Sequence, residues 1–391
     1  MKKICVITGS RAEYGLLRPL MQRIDKDAEL ELSVVATGMH LSPEFGMTCQ
    51  EIENDGFKIA FKNEMLLSSD SDVGVTKSMG LGMIGFADYF SLQRPDLVVL
   101  LGDRFEIYAA ATAAMMFKLP IAHLHGGEIT EGAYDDAIRH CITKMSSLHF
   151  TSTEAYRQRV VQLGEQPERV YNVGALGVEN IKNIQTWSRE KLEENLGIEI
   201  DGQTILVTYH PVTLGESSSK KDFAILLKVL HDHPELKIIF TKANADTDGR
   251  IINAMIDEFA EEHRERVVAF QSLGLVRYLS VLKYCGMVVG NSSSGIIEVP
   301  SFNIPTINIG DRQKGRVHAD SVYDCSMDYA ALDKLLQKLL RERTSTRTEE
   351  VINPYEGSNT SAKMIQHMKE FLDGEIAKQK TFYDITFDKR I

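Results

Sequence analysis

Short runs of β-branched and other apolar residues alternate with longer stretches of helical periodicity along most of the chain. In the first half the runs are Ile4–Thr8, Leu32–Thr37, Leu97–Leu101, Ile121–Leu124, His149–Ser152 and Val170–Val173. The rhythm restarts at Ile205–Thr208 and continues through Lys237–Thr241, Val267–Phe270, Met287–Val289 and Thr306–Ile309. Continuous apolar runs bounded by polar loops, with helical patterns between them, belong to parallel strands covered on both faces. The pattern therefore predicts an α/β protein with two doubly wound sheets. A polar helical stretch and the loop Gly197–Gly202 separate the two series, and domains are expected over residues 1–185 and 186–391. A last helical pattern, Asn359 to Leu372, has no strand after it and could cross back to the first domain.

Composition agrees with this division. At 391 residues the chain exceeds what one hydrophobic core ordinarily serves. Hydrophobic residues at 43% and charged residues at 25% are ordinary globular usage. Asp and Glu outnumber Lys and Arg by 55 to 44, a formal charge of −11, which opposes binding to nucleic acid or to an anionic membrane surface. A small anion remains possible, because a few Arg, His and backbone N–H groups can hold phosphate inside an acidic protein. Cys5, Cys49, Cys141, Cys285 and Cys325 are odd in number, far apart and without a C-x-x-C pair, so they read as thiols of a reducing compartment. The apolar run Ile4–Ile7 is too short for a signal peptide, and no run of ~18 apolar residues follows. A cytoplasmic location is expected.

In open α/β sheets, chemistry sits in the loops after strand carboxyl ends. Gly9-Ser10-Arg11-Ala12-Glu13-Tyr14-Gly15 is such a loop, running into a helix, and it is neither a P-loop nor a dinucleotide fingerprint. Gly102-Asp103-Arg104-Phe105-Glu106 ends the most apolar run; Asp103 there is either a helix cap or an acid/base beside a phosphate-binding Arg104. In His123-Leu124-His125-Gly126-Gly127-Glu128, strand alternation puts His123 and His125 on one face. Spacing specifies no third ligand, so no metal site is expected. Asp135-Asp136 opens a helix, where the dipole favours carboxylates. His210 ends the first run of the second half. Gly290-Asn291-Ser292-Ser293-Ser294-Gly295-Ile296-Ile297-Glu298 joins a strand to a helix through small hydroxyl residues suited to a diphosphate. Glu298 follows one turn later, where it could accept from vicinal ribose hydroxyls. Arg312 adds a cation.

Taken together, these motifs resemble the UDP-N-acetylglucosamine 2-epimerase family, and its hydrolysing branch more closely. The resemblance rests on GSRAEYG at Gly9, TGMHL at Thr37, GDRFE at Gly102, HLHGGE at His123, DDAIRH at Asp135, HPVT at His210, GNSSSGIIE at Gly290 and INIGDRQKGR at Ile307. It implies two Rossmann-like domains in a B-type glycosyltransferase arrangement, with UDP held by the second and the sugar facing the first. Binding contacts would come from Arg11, His40, Arg104, His210, Asn244, Leu273, Ser292, Ser293, Ser294, Gly295, Glu298 and Arg312. Catalytic groups would be Asp103, His125, Glu128, Asp135 and His210. Relatives that make N-acetylmannosamine often have Glu where this chain has His125, a departure that bears on proton handling and on sugar choice.

The chemistry holds without the family. The C2 proton of an acetamido sugar becomes removable once UDP departs and C1 turns cationic; cations around the diphosphate help it leave, and a carboxylate or imidazole shuttles the proton. Water then adds to the glycal. Neither metal nor redox cofactor is required. The expected activity is hydrolysis of UDP-N-acetylglucosamine with inversion at C2, or of UDP-N,N'-diacetylbacillosamine in the same way. A non-hydrolysing 2-epimerase, a UDP-sugar glycosyltransferase and a non-catalytic sugar-nucleotide sensor share the binding features. A homodimer or homotetramer is expected.

Overall fold

The computed structural model describes residues 1–69, 71–131, 133–211, 219–243, 249–342, 350–374 and 380–386. Seven parallel strands form the first sheet: β1 (Lys2–Thr8), β2 (Leu30–Thr37), β3 (Ile59–Asn63), β4 (Leu97–Leu101), β5 (Ile121–Leu124), β6 (Leu148–Thr151) and β7 (Val170–Asn172), in the order β3-β2-β1-β4-β5-β6-β7. Six more form the second: β8 (Thr204–Thr208), β9 (Lys237–Thr241), β10 (Val267–Phe270), β11 (Met287–Gly290), β12 (Thr306–Ile309) and β13 (Val322–Cys325), ordered β10-β9-β8-β11-β12-β13. In each sheet the order reverses once, between β1 and β4 and between β8 and β11. Loops leave these neighbours in opposite directions and open a crevice at their carboxyl ends.

The apolar runs are strands because both of their faces are buried. Ile4, Val6, Leu97 and Val99 face one core of the first sheet, and Cys5, Ile7, Val98 and Leu100 face the other. The second sheet repeats this, with Ile205 and Val207 on one side and Leu206 on the other. Sequence periodicity missed β3 and β13. Both are edge strands, and IAFKN and VYDC keep half-exposed and polar positions that break an apolar run. The helix Thr360–Asp373 packs on the helix Arg11–Lys26 and adds Met364 and Met368 to the first sheet's core. Arg23 donates to the Ser361 hydroxyl at 2.7 Å and Lys2 to the Leu372 carbonyl at 3.3 Å.

Candidate active site

The two switch points face each other across a cleft of about 350 Å³, within the usual range for small-molecule sites. On the first wall, Ser10, Arg11 and Glu13 follow β1, Asp103 and Arg104 follow β4, and His125 and Glu128 follow β5. Asp135 and Arg139 join them from the helix Asp135–Met145. Opposite lie His210 after β8, Leu273 after β10, Ser292 to Ser294 and Glu298 after β11, and Arg312 and Arg316 after β12.

Arg11 bridges the walls: its Nη2 is 2.6 Å from Glu51 Oε1, and its Nη1 donates to the Ser272 carbonyl at 3.4 Å. Gly274 (φ +65°) is what allows this approach, since a Cβ there would lie 2.3 Å from Arg11 Nη2. Arg104 sits between two buried carboxylates, with Nε 2.7 Å from Glu106 Oε1 and 3.9 Å from Glu13 Oε1. Burial, with the neighbouring Glu106, pushes the Glu13 carboxyl up to about 8.

His125 has φ +64°, a conformation uncommon outside glycine. This turn breaks the strand alternation that predicted a shared face for His123 and His125. His123 points into the fold, with Nε2 2.7 Å from the Gly102 carbonyl and Nδ1 3.1 Å from the Thr143 hydroxyl; burial pushes its imidazole down to about 3. His125 lines the cleft, with Nδ1 3.0 Å from Glu128 Oε1 and with Nε2 making no hydrogen bond among the described residues. Glu128 is almost wholly buried. Ser152 donates to it at 2.8 Å, and Arg316 and Arg139 stand 2.8 and 3.2 Å away. Burial alone would raise its carboxyl, but Arg316, His125 and Arg139 hold it well below the usual carboxylate range. Arg139 also donates to Asp103 Oδ2. Of the two Asp residues at the next helix start, Asp135 lines the cleft, while Asp136 accepts from the Thr130 N–H at 2.7 Å and closes the preceding loop.

On the second wall, Gly290 (φ +143°) lets β11 approach β8: a Cβ there would lie 1.9 Å from the Thr208 carbonyl oxygen. Asn291 next to it clamps the His210 backbone, accepting from its N–H at 2.7 Å and donating to its carbonyl at 2.8 Å. The Asn291 carbonyl accepts from Arg312 at 3.1 Å and from Gln313 at 2.9 Å. Ser294 bonds to the Tyr278 hydroxyl. Glu298 packs against Gly177, where a Cβ would lie 2.1 Å from its Oε1. Burial pushes its carboxyl up to about 7.

Two expected binding residues are not brought to the cleft. His40 is wholly buried, its nitrogens 3.0 Å from the Thr8 hydroxyl and 2.8 Å from that of Thr48; its ring is a core link between β1 and the segment after β2. Gly295 instead lies against β12, where a Cβ would meet Thr306 Cγ2 at 2.9 Å. Asn244 lies outside the described residues. Sequence reasoning missed Arg139 and Arg316. Arg139 stood four residues after Asp135, on the same helix face; Arg316 closes the INIGDRQKGR motif, but that segment gave it no role, because its partners belong to the other half of the chain. Among the described residues no group of three or more His, Cys, Asp or Glu could hold a metal ion.

Two parallel sheets meeting carboxyl edge to carboxyl edge over this cleft define an α/β protein of B-type glycosyltransferase-like architecture. The sequence profile of the UDP-N-acetylglucosamine 2-epimerase family matches residues 22–369, and the chain belongs to that family. It is 44% identical over 338 residues to the GDP/UDP-N,N'-diacetylbacillosamine 2-epimerase (hydrolyzing) of Campylobacter jejuni, covering 86% of this chain and 87% of that one. It is 39% identical to the polysialic acid biosynthesis protein P7 of Escherichia coli, over 98% of both. The Methanocaldococcus jannaschii UDP-GlcNAc 2-epimerase, solved with UDP-GlcNAc and UDP, shares the fold with a TM-score of 0.77 at 16% identity, over 94% of this chain and 99% of that one.

Proposed function

We propose that the chain is a hydrolysing 2-epimerase that converts UDP-N-acetylglucosamine and water to N-acetylmannosamine and UDP, a hydrolase of the glycosyl bond. The observation that carries this reading is the division of the cleft. Hydroxyls, Arg312 and Glu298 suit a nucleotide on one wall, and two proton-handling groups, Asp103 and His125, face it from the other, each held from behind by Arg139 or Glu128.

Inversion at C2 needs a proton removed from one face and another delivered to the opposite face, so two groups are required. In the first step the C1–O bond breaks, UDP leaves with the electron pair, and His125 Nε2 takes the C2 proton, leaving a glycal. Arg11, Arg312 and the serine hydroxyls stabilise the departing diphosphate. In the second step Asp103 or Asp135, in its protonated form, donates a proton to C2 from the other face while water bonds to C1; the proton that the water sheds returns to that carboxylate, and His125 gives the abstracted proton up to solvent as UDP and the sugar leave. The Glu128 carboxylate stabilises the imidazolium between the steps.

The Campylobacter relative's name favours a second reading, in which the sugar is N,N'-diacetylbacillosamine and the reaction is the same. Nuclear magnetic resonance of the products from both UDP-sugars tests function and substrate together. Free 2-epimeric sugar plus UDP supports the proposal; sugar still attached to UDP, or no turnover, refutes it.

No helix among the described residues is long and apolar enough to cross a membrane, and we assign the enzyme to the cytoplasm. A homodimer or homotetramer is proposed through the helix Asp72–Leu92, which exposes Leu81, Met83 and Ile84. Light scattering measures that state, and a monomer refutes it.

A further inference from the structure

We infer that Arg316 is a positioning residue for proton transfer: reaching from the second sheet's loop into the first wall, it holds Glu128 as an acceptor and thereby fixes the tautomer of His125 in which Nε2 is the base. The inference rests on the reading above that His125 takes the C2 proton.

Arg316 is buried and directs its guanidinium at the opposite half of the chain, where Nε and Nη2 form hydrogen bonds and Nη1 makes an ion pair without one. Its Nη1 is 2.8 Å from Glu128 Oε2, its Nε donates to the Ile129 carbonyl at 2.7 Å, and its Nη2 donates to the Thr130 hydroxyl at 3.2 Å. The loop that carries it is anchored just beyond: the Val317 N–H donates to the Tyr156 hydroxyl at 3.0 Å and its carbonyl accepts from Tyr355 at 2.7 Å. Earlier in the same loop, Arg312 and Gln313 grip the Asn291 carbonyl beside Ser292. One short segment therefore touches the wall suited to the diphosphate and the carboxylate behind the imidazole.

The tautomer follows from donor and acceptor counting. An ionised carboxylate only accepts, so Nδ1 of a neutral His125 must carry the proton toward Glu128, leaving a lone pair on Nε2 at the cleft. The groups facing Glu128 are His125, Arg139, Ser152, Tyr156, Tyr355 and Arg316, with the Glu298 carboxyl beyond them. Arg139 is shared with Asp103 and Thr130. Without Arg316 the buried carboxylate loses a principal counter-charge and takes up a proton more readily. Protonated Glu128 can donate to Nδ1, which transfers the imidazole proton to Nε2 and removes the base.

The test uses the full chain with Arg316→Met, Arg316→Lys, Ser152→Ala and His125→Ala. For Arg316→Met, kcat is expected to fall at least ~10-fold with KM changed less than ~3-fold, and the acid limb of the pH–kcat profile to move up by about one unit. Protonation of Glu128, which removes the acceptor of the Nδ1 proton, pushes the limb that way. Arg316→Lys should return most of the limb, and Ser152→Ala, which removes a donor and keeps the charges, should move it less in the same direction. Nitrogen-15 shifts of the His125 ring read the tautomer directly, with Nδ1–H in the parent and Nε2–H in Arg316→Met. Should Arg316→Met fail to fold, Arg316→Lys and Ser152→Ala carry the same comparison. An unmoved acid limb and unchanged ring shifts in these variants, with His125→Ala inactive, overturn the inference alone. Full activity of His125→Ala overturns the reading beneath it as well.

Discussion

Glu298 offers a quantitative handle on nucleotide binding. The carboxylate is 8% exposed and pressed against Gly177, and its Oε2 makes no hydrogen bond among the described residues. Burial pushes it up to about 7 from an ordinary 4.5. Because the folded value is raised, the carboxyl stabilises the free protein below the unfolded value, and that contribution is lost as pH rises through about 7. Ribose hydroxyls donating to the carboxylate favour the ionised form, so UDP binding expels a proton wherever the free carboxyl is protonated. Affinity should then fall by up to ~10-fold per pH unit below that point, flattening where the carboxyl of the complex itself titrates. At about pH 8, Glu298→Gln removes charged hydrogen bonds worth about 1.5–3 kcal/mol, roughly 10- to 100-fold in Kd. The UDP phosphate also titrates near ~6, but the ratio of variant to parent Kd cancels it. Calorimetry with UDP in two buffers of different ionisation enthalpy measures both quantities. The ratio should be about ten times larger at pH 8 than at pH 6, with the parent releasing more protons than the variant at pH 6 by up to about one per UDP bound. A ratio independent of pH refutes the reasoning, and an unchanged Kd makes Glu298 a packing residue.

Asp103→Asn should leave UDP affinity nearly unchanged and cut turnover by at least ~10²-fold; near-parental turnover removes Asp103 from the chemistry. Gly177→Ala places a methyl where the Glu298 carboxylate lies, so UDP binding should weaken at least ~10-fold, in line with a lost charged hydrogen bond, while far-ultraviolet circular dichroism stays unchanged. Unaltered calorimetry in that variant shows that Glu298 can move without consequence. His125→Glu, assayed on UDP-N-acetylglucosamine and UDP-N,N'-diacetylbacillosamine across pH, should keep part of the activity with its acid limb moved to lower pH, since an ordinary Glu titrates at ~4.3 and an ordinary His at ~6.5. A changed preference between the sugars at a constant pH profile would instead make His125 a selector of the C4 substituent.

Much of this arrangement was legible before any coordinates. Residues in continuous apolar runs, such as Val98 to Leu100, have no polar face to turn outward and must be covered on both sides, which makes a parallel α/β sheet and puts Asp103, Glu128, Asp135, Ser292 and Arg312 at strand ends over a cleft. Local sequence could not report what depends on distant partners or on a single dihedral angle. The left-handed turn at His125 separated it from His123, and enclosure between Thr8 and Thr48 took His40 out of the cleft. β3 and β13 escaped notice because edge strands need only one hydrogen-bonded neighbour and tolerate polar positions. The INIGDRQKGR motif contains Arg316 but not its role: its partners Glu128, Ile129 and Thr130 lie on the other wall, and only the docking of one sheet's loops against the other's brings the guanidinium to the carboxylate. Periodicity is a property of neighbouring residues and survives in the sequence, whereas a buried ion pair between two halves of a chain exists only once both halves have folded and met.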